Sequence, residues 1–469
     1  MSLHKLSAGD GYTYLVRQVA AGDSTERGFD SLGDYYSAKG ETPGRWVGSG
    51  LAGLNMSPAA MASVSEMQMK ALFGLGIHPD ADAIVQAKIA AGAGPAAAQA
   101  ATRLGAAYRV VEGNPQWRER LAERYRAWNT VRGLPERDPV PAAERERIRT
   151  DTALELFREQ HGRAPLHDGE LSGFLAQQSR LESASVAGFD LTFSPVKSVS
   201  SLWAVADPAV STKIEAAHDA AVAKTLAHLE ATAVYTRLGP RGVRQVDVTG
   251  LIAAQFRHRD SRAGDPDLHT HIAIANKVQT LDGRWMALDG RMIYRAAVTA
   301  SEFYNTALEA EITAWIGGRF TERETTPGKR PIRELAGVDE NLMRRWSTRR
   351  QAIEAATGDL AAQFVAAHGR VPTAVETLRL AQQATLATRQ AKHEPRSLAE
   401  QRQAWRAQAV QILGGEPRLM AMLRDVHATV AAAPITAELV DELAAETVAT
   451  VSASRARWRE ANLHAEAIR

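Results

Sequence analysis

AAQFRHRDSRAGDPDLHTHIAIANK, residues 253–277, holds three histidines, His258, His269 and His271, in a chain with thirteen histidines in all. Its flanks alternate apolar and β-branched residues, the period of a strand. Residues two apart on a strand project to one face, so His269 and His271 are side by side. A hairpin through Asp260 to Asp267 returns the preceding stretch, VTGLIAAQFRH (248–258), alongside and delivers His258 to the same spot. A lone histidine reads as an ordinary core or surface residue. Three neutral imidazoles converging on one point, in a chain without cysteine, read as a divalent-cation site with coordination positions left open.

Working outward, 469 residues exceed one ordinary core, so two or three domains or subdomains are expected. Hydrophobic residues make up 45% of the chain but aromatic ones only 6%, and the alanine-rich remainder favours helix. No window approaches the roughly 18 apolar residues of a membrane span, and MSLHKLSAGDGY (1–12) has no apolar signal region. The absence of cysteine removes disulfides and thiolate ligands together and is compatible with a cytoplasmic protein. A net charge of +2 does not announce nucleic acid, so any such binding must rest on local patches.

Along the chain, GDGYTYLVRQVAAGD (9–23) reads as a helix started at Asp10 and stopped at Gly22. LGDYYSAKGETPGRWVGSGLAGL (32–54) reads as loop and short strand, and residues 56–185 as helical. FDLTF (189–193) alternates as a strand, and SPVKSVSSLWAVA (194–206) opens a buried helix behind it. Four strands follow: AVYTRLG (233–239), RQVDVTGLIAAQFRH (244–258), LHTHIAIANKVQT (268–280) and RWMALDG (284–290). Asp282-Gly283 joins the last two as a hairpin turn. From Ile293 onward nearly everything reads as helix. An internal echo, Phe157-x3-His161-Gly162-Arg163-x-Pro165 and Phe364-x3-His368-Gly369-Arg370-x-Pro372, stops one helix at Gly and starts another at Pro. That echo is structural, and neither His161 nor His368 belongs with the metal ligands.

Four of nine tyrosines fall within the first forty residues as two close pairs, Tyr12/Tyr14 and Tyr35/Tyr36. Tyrosines are commonly core or interface residues. A phenol beside a cation-bound phosphate is also a competent nucleophile, forming a covalent phosphotyrosine.

With these residues on the page the chain resembles the conjugative relaxases of the HUH endonuclease superfamily, in the TraI/TrwC-type (MobF) branch. The resemblance is carried by GDGYTYL (9–15), DYYSAKGETPGRWVGSGLAGL (34–54), FDLTFSPVKSVS (189–200) and FRHRDSRAGDPDLHTHIAIANKVQTLDGRWMALDG (256–290), and it continues in ELAGVDENLMRRWSTRRQAIE (334–354). It implies an α+β fold, a central antiparallel sheet carrying the HUH metal site, with helices and large helical additions around it. Residues 1–412 are then the relaxase domain, with a helical insertion at about 80–185. Residues 413–469 form a helical segment leading toward the family's frequent helicase, of which no GxxxxGK[ST] phosphate loop is present.

The resemblance further implies a transesterification on single-stranded DNA at an origin of transfer, giving a 5′-phosphotyrosine that initiates conjugation. His258, His269 and His271 would hold the cation, expected as Mg2+ or Mn2+, and Asp190 would hold one histidine in its tautomer. Tyr12 would be the first nucleophile with Tyr14 its rival, and Tyr35 and Tyr36 would serve a second transfer. Candidate DNA contacts are Arg45, Trp46 as a stacking platform, Lys197 and Ser198 at a helix start, Arg262, and the basic run Arg344–Arg350. Partners would be the DNA, relaxosome and coupling proteins, with no membrane insertion. Two other classes remain open: a metal-dependent phosphoesterase using water, and a non-catalytic single-stranded-DNA-binding or assembly protein.

Overall fold

The computed structural model describes residues 1–13, 15, 44–111, 114–136, 138–178, 183–323, 331–388, 396–426 and 435–469. Tyr14, Tyr35 and Tyr36 lie outside the described residues. In chain order the strands begin with β1 (Ser2–Ser7) and β2 (Arg45–Val47), then the two-residue β3 (Val110–Val111) and β4 (Ser183–Ala184), then β5 (Val186–Phe193). β6 (Tyr235–Leu238) and β7 (Arg244–Asp247) precede the long hairpin of β8 (Ala253–Asp260) and β9 (Pro266–Ala275). β10 (Val278–Gln279) and β11 (Trp285–Met286) flank the Asp282-Gly283 turn, and β12 (Phe320–Arg323) pairs with β13 (Ile332–Leu335). The central sheet is antiparallel in the order β1-β5-β9-β8-β2, as the α+β reading expects.

Register sorts the side chains onto two faces, because directly opposed residues in an antiparallel pair share a face. His269 faces His258, His271 faces both Phe256 and Thr192, and Ala273 faces both Ala254 and Asp190. That face is lined by an apolar cluster including Leu6, Tyr12, Trp46, Phe73, Ala254, Phe256 and Ala273. The other face carries Phe189, Leu191, Phe193, Leu268 and Ile272, the sheet side of the main core.

Helices cover the main-core face for legible reasons. α1 (Pro115–Val131), α2 (Ala142–His161) and α3 (Asp168–Gln178) stand apart around a small core of Trp117, Ala153, Leu156, Phe157 and Phe174. α4 (Lys197–Val205) is buried from Ser198 to Val205. α5 (Pro208–Ala233) starts where the Asp207 carboxylate accepts from the Ala209 and Val210 amides, with Pro208 at its first position. α6 (Gly290–Ile316) buries Ala300, Tyr304, Leu308, Ile312 and Ile316, every fourth residue, against the sheet. α7 (Thr348–His368) and α8 (Ala374–Ala387) form a hairpin, followed by α9 (Leu398–Leu413), α10 (Ala437–Ser454) and α11 (Glu460–Ile468).

Three expectations change. The stretch 244–258 is two strands, because Gly250 takes φ +131 and turns the chain between β7 and β8. The strand of residues 268–280 stops at Ala275, where the Asn276 amide bonds the Ala187 carbonyl. The region after Ile293 contains the β12–β13 hairpin. The repeated His-Gly-Arg-x-Pro segments do end helices: Gly162 and Gly369 take φ 65 and 66, and Arg163 and Arg370 clamp Glu170 and Glu376.

Candidate metal centre

His258, His269 and His271 are all buried, and their ring centroids form a triangle of 5.2 Å on each side. A metal–nitrogen bond of about 2.1 Å sets an imidazole centroid roughly 3 Å from the ion, so three ligands of one ion have centroids roughly 5 Å apart. The spacing therefore fits. Orientation is less advanced. His258 and His269 are stacked, with 20° between their planes, so they meet face to face. Accordingly, among the described residues no three imidazole or carboxylate groups are closed to coordination distance.

Two tautomers are fixed by acceptors that cannot donate. His271 Nδ1 lies 2.9 and 3.0 Å from the Asp190 carboxylate oxygens, and His269 Nδ1 lies 2.7 Å from the Asp267 carbonyl. Each Nδ1 therefore carries the proton, and the lone pair sits on Nε2. Thr192 Oγ1, 3.2 Å from the same His271 nitrogen, completes that contact. Sequence reading missed Thr192, although its two-residue spacing from Asp190 puts both on one strand face. Burial pushes the His269 pKa down, and nearby His271 adds to the shift. Burial thus favours the neutral His269 ring, the form a ligand takes.

The other expected site residues scatter. Tyr12 shares the sheet face with the histidines but is 4% exposed, inside the apolar cluster beside Gly74. A phenol so enclosed must leave its packing to meet a phosphate. Arg45 points to the opposite face, where it pairs with Asp219 at 3.2 Å. Trp46 is buried at 7% exposure, so it serves as core here and not as an open stacking platform. Ser198 is fully buried, and Glu334 takes its hydroxyl at 2.6 Å and its amide at 3.0 Å. A carboxylate thus already fills the helix start where a phosphate was expected. Lys197 Nζ donates to the Pro266 carbonyl at the foot of β9. Arg262 is half-buried in the hairpin loop.

Beside the end of β5 opens a cavity of about 680 Å³ whose lining includes Lys197, Arg323, Arg344 and Arg350, with Glu334 and Glu354 among them. It takes in two arginines of the basic run that the sequence singled out.

Over 193 residues the chain is 32% identical to the multifunctional conjugation protein TraI of Escherichia coli, covering 39% of this chain and 10% of that protein. The strain K12 TraI is 31% identical over 197 residues, with the same coverage of each. The chain spans about a tenth of the length of the curated relatives it matches. Among solved structures, conjugative relaxase TrwC in complex with oriT DNA aligns at 28% identity and a TM-score of 0.41, covering 66% of this chain and 99% of that one. Its metal-bound form aligns at 27% and 0.41, with the same coverage. No described helix is long and apolar enough to cross a membrane. The TrwC relaxase family model matches residues 8–412, and the chain belongs to that family.

Proposed function

We propose that this protein nicks single-stranded DNA at an origin of transfer and keeps the 5′ end as a phosphotyrosine. The reading rests on the family and on one observation: three buried imidazoles 5.2 Å apart, with a carboxylate behind one of them, on a single sheet face. His258, His269 and His271 would hold a divalent cation, which when bound supplies Lewis-acid polarisation of the scissile phosphate. Asp190 and the Asp267 carbonyl keep two of the rings presenting Nε2. The phenol oxygen forms a new P–O bond as the P–O3′ bond breaks, and the phenol proton ends on the released 3′-hydroxyl. Tyr12 is the attacking group on this reading, with Tyr14 its rival, and its phenol leaves the apolar packing to reach the phosphate. The cavity lined by Lys197, Arg323, Arg344 and Arg350 would offer the DNA backbone cationic contacts in exchange for the pairs that Arg323 and Arg350 make with Glu334 and Glu354. The compartment is cytoplasmic on this reading, with relaxosome and coupling proteins as partners, and residues 413–469 lie beyond the relaxase domain.

The test is incubation with origin-type single-stranded DNA and Mn2+ or Mg2+, resolved on a denaturing gel. A covalent protein–DNA band supports the relaxase. Cleavage without adduct overturns it in favour of a water-using phosphoesterase, and intact DNA in favour of a binder. Tyr12→Phe should abolish the band and Tyr14→Phe should retain it. A DNA-linked peptide carrying Tyr14 in mass spectrometry would reverse that assignment.

A further inference from the structure

Behind the three histidines, on the opposite face of the hairpin, the apolar core is interrupted by polar groups. Arg257 immediately precedes His258, and Thr270 lies between His269 and His271; the register pairs Arg257 and Thr270 directly across β8 and β9. Both side chains are taken by one stripe of α5. Arg257 donates to Glu215 at 2.9 Å and also to Asp219, while His218 Nε2 lies 2.7 Å from Thr270 Oγ1. Glu215, His218 and Asp219 stand at i, i+3 and i+4, the spacing of one helical face. The Tyr304 hydroxyl of α6, 2.8 Å from His218 Nδ1, satisfies the second ring nitrogen.

Such a cluster is an odd way to make a helix adhere to a sheet. His218, Thr270 and Tyr304 are wholly buried, and each polar group there carries a desolvation penalty unless it is hydrogen-bonded. Leucine and isoleucine, used elsewhere on this face, pack without that condition. What a satisfied polar cluster adds is a single register, since its bonds form in only one alignment. Register matters most here: a slip of one residue between β8 and β9 would turn their histidines to opposite faces.

We propose that Glu215, His218 and Asp219 are positioning residues, gripping the Arg257–Thr270 pair so that His258, His269 and His271 keep their spacing on the far side. The proposal rests on the reading of those histidines as metal ligands. It assigns to α5, which touches none of the reacting atoms, control over cation affinity.

The experiment uses the full chain, freed of metal, titrated with Mn2+ and followed by the paramagnetic resonance of the free ion. Thr270→Val keeps the shape and deletes the bond to His218; Thr270→Ser keeps the bond. Valine should weaken Mn2+ binding about tenfold, the scale on which outer residues tune a metal site, while serine stays close to the parent protein. Wild-type Mn2+ affinity in folded Thr270→Val would overturn the proposal, even with a lowered melting temperature. His269→Ala separates the two readings. If it too binds Mn2+ normally, the ligand assignment has failed; if it loses Mn2+ while Thr270→Val does not, only the positioning role has. Should Thr270→Val not fold, Glu215→Gln, which weakens the grip on Arg257 with little change in shape, is read by the same criteria.

Discussion

Asp190 accepts one proton's worth of hydrogen bonding from His271 and can donate none in its ionised form. Asp190→Asn can present its amide N–H to the ring instead, freeing the other tautomer and turning the lone pair away from Nε2. Mn2+ affinity should fall on the order of 10–100-fold, with cleavage partly restored by excess metal. An unchanged titration would leave Asp190 a purely structural acid. Neutral nitrogen donors also suit Mn2+ and later transition ions better than Mg2+, so calorimetry should find Mn2+ the tighter of the two. Equal affinities would mean that oxygen donors dominate the site. His218 makes a different prediction. Burial pushes its pKa down from 6.5 to about 3. The unfolded chain therefore binds a proton that the folded protein refuses: the residue is neutral to stability above about pH 6.5 and destabilises as pH falls toward 3. His218→Phe should flatten the acid limb of a melting-temperature profile between those values. The pairing of His269 and His271 was legible in the sequence because two-residue spacing on a strand is local. Ser198 was not: its partner Glu334 lies 136 positions away, and only folding brings that carboxylate to the helix start.

At the scale of elements, the β8–β9 hairpin is held at its tip as well as its back. Asp265 accepts from the Thr348 amide and hydroxyl, both at 3.0 Å, at the first turn of α7. From α9, Trp405 donates to the Gly264 carbonyl at 2.9 Å and Gln401 to Asp260 at 2.7 Å. Asp265→Ala removes two hydrogen bonds from Thr348, which water can reach, so unfolding free energy should drop by about 0.5–1.5 kcal/mol in a denaturant titration. A change too small to measure would make the clasp incidental. The strands themselves were readable wherever alternation was clean, as in residues 189–193 and 268–275. β12 was missed because Thr321, Glu322 and Arg323 are half-buried or exposed polar residues with no apolar period. The join of β7 and β8 was missed because Val-Thr-Gly-Leu reads as continuous strand, although Gly250 turns the backbone there.

For the molecule as a whole, the sheet is a wall with two unlike sides. One side bears the long helices α5 and α6 and the main core; the other bears the histidines, Asp190 and Tyr12. The family resemblance gave this plan, but not which candidate side chains lie on which side. Arg45 and Trp46, adjacent in sequence, end up on opposite ones, as neighbours on any strand must.

The helical unit α1–α3 is entered from β3 and left into β4, and those strands pair directly, Val110 with Ala184 and Val111 with Ser183. Its two ends thus stand one strand spacing apart, about 4.8 Å. Replacing residues 112–182 by a two-residue Asn-Gly turn should leave the thermal transition of the remaining chain cooperative and its Mn2+ affinity unaltered, as calorimetry would report. A broadened transition or lost Mn2+ binding would show that the unit braces the sheet. The closeness of those ends makes the position a socket: a foreign domain whose termini are equally close can be plugged in there, placing a reporter or a new binding specificity on the protein without rerouting a strand of its sheet.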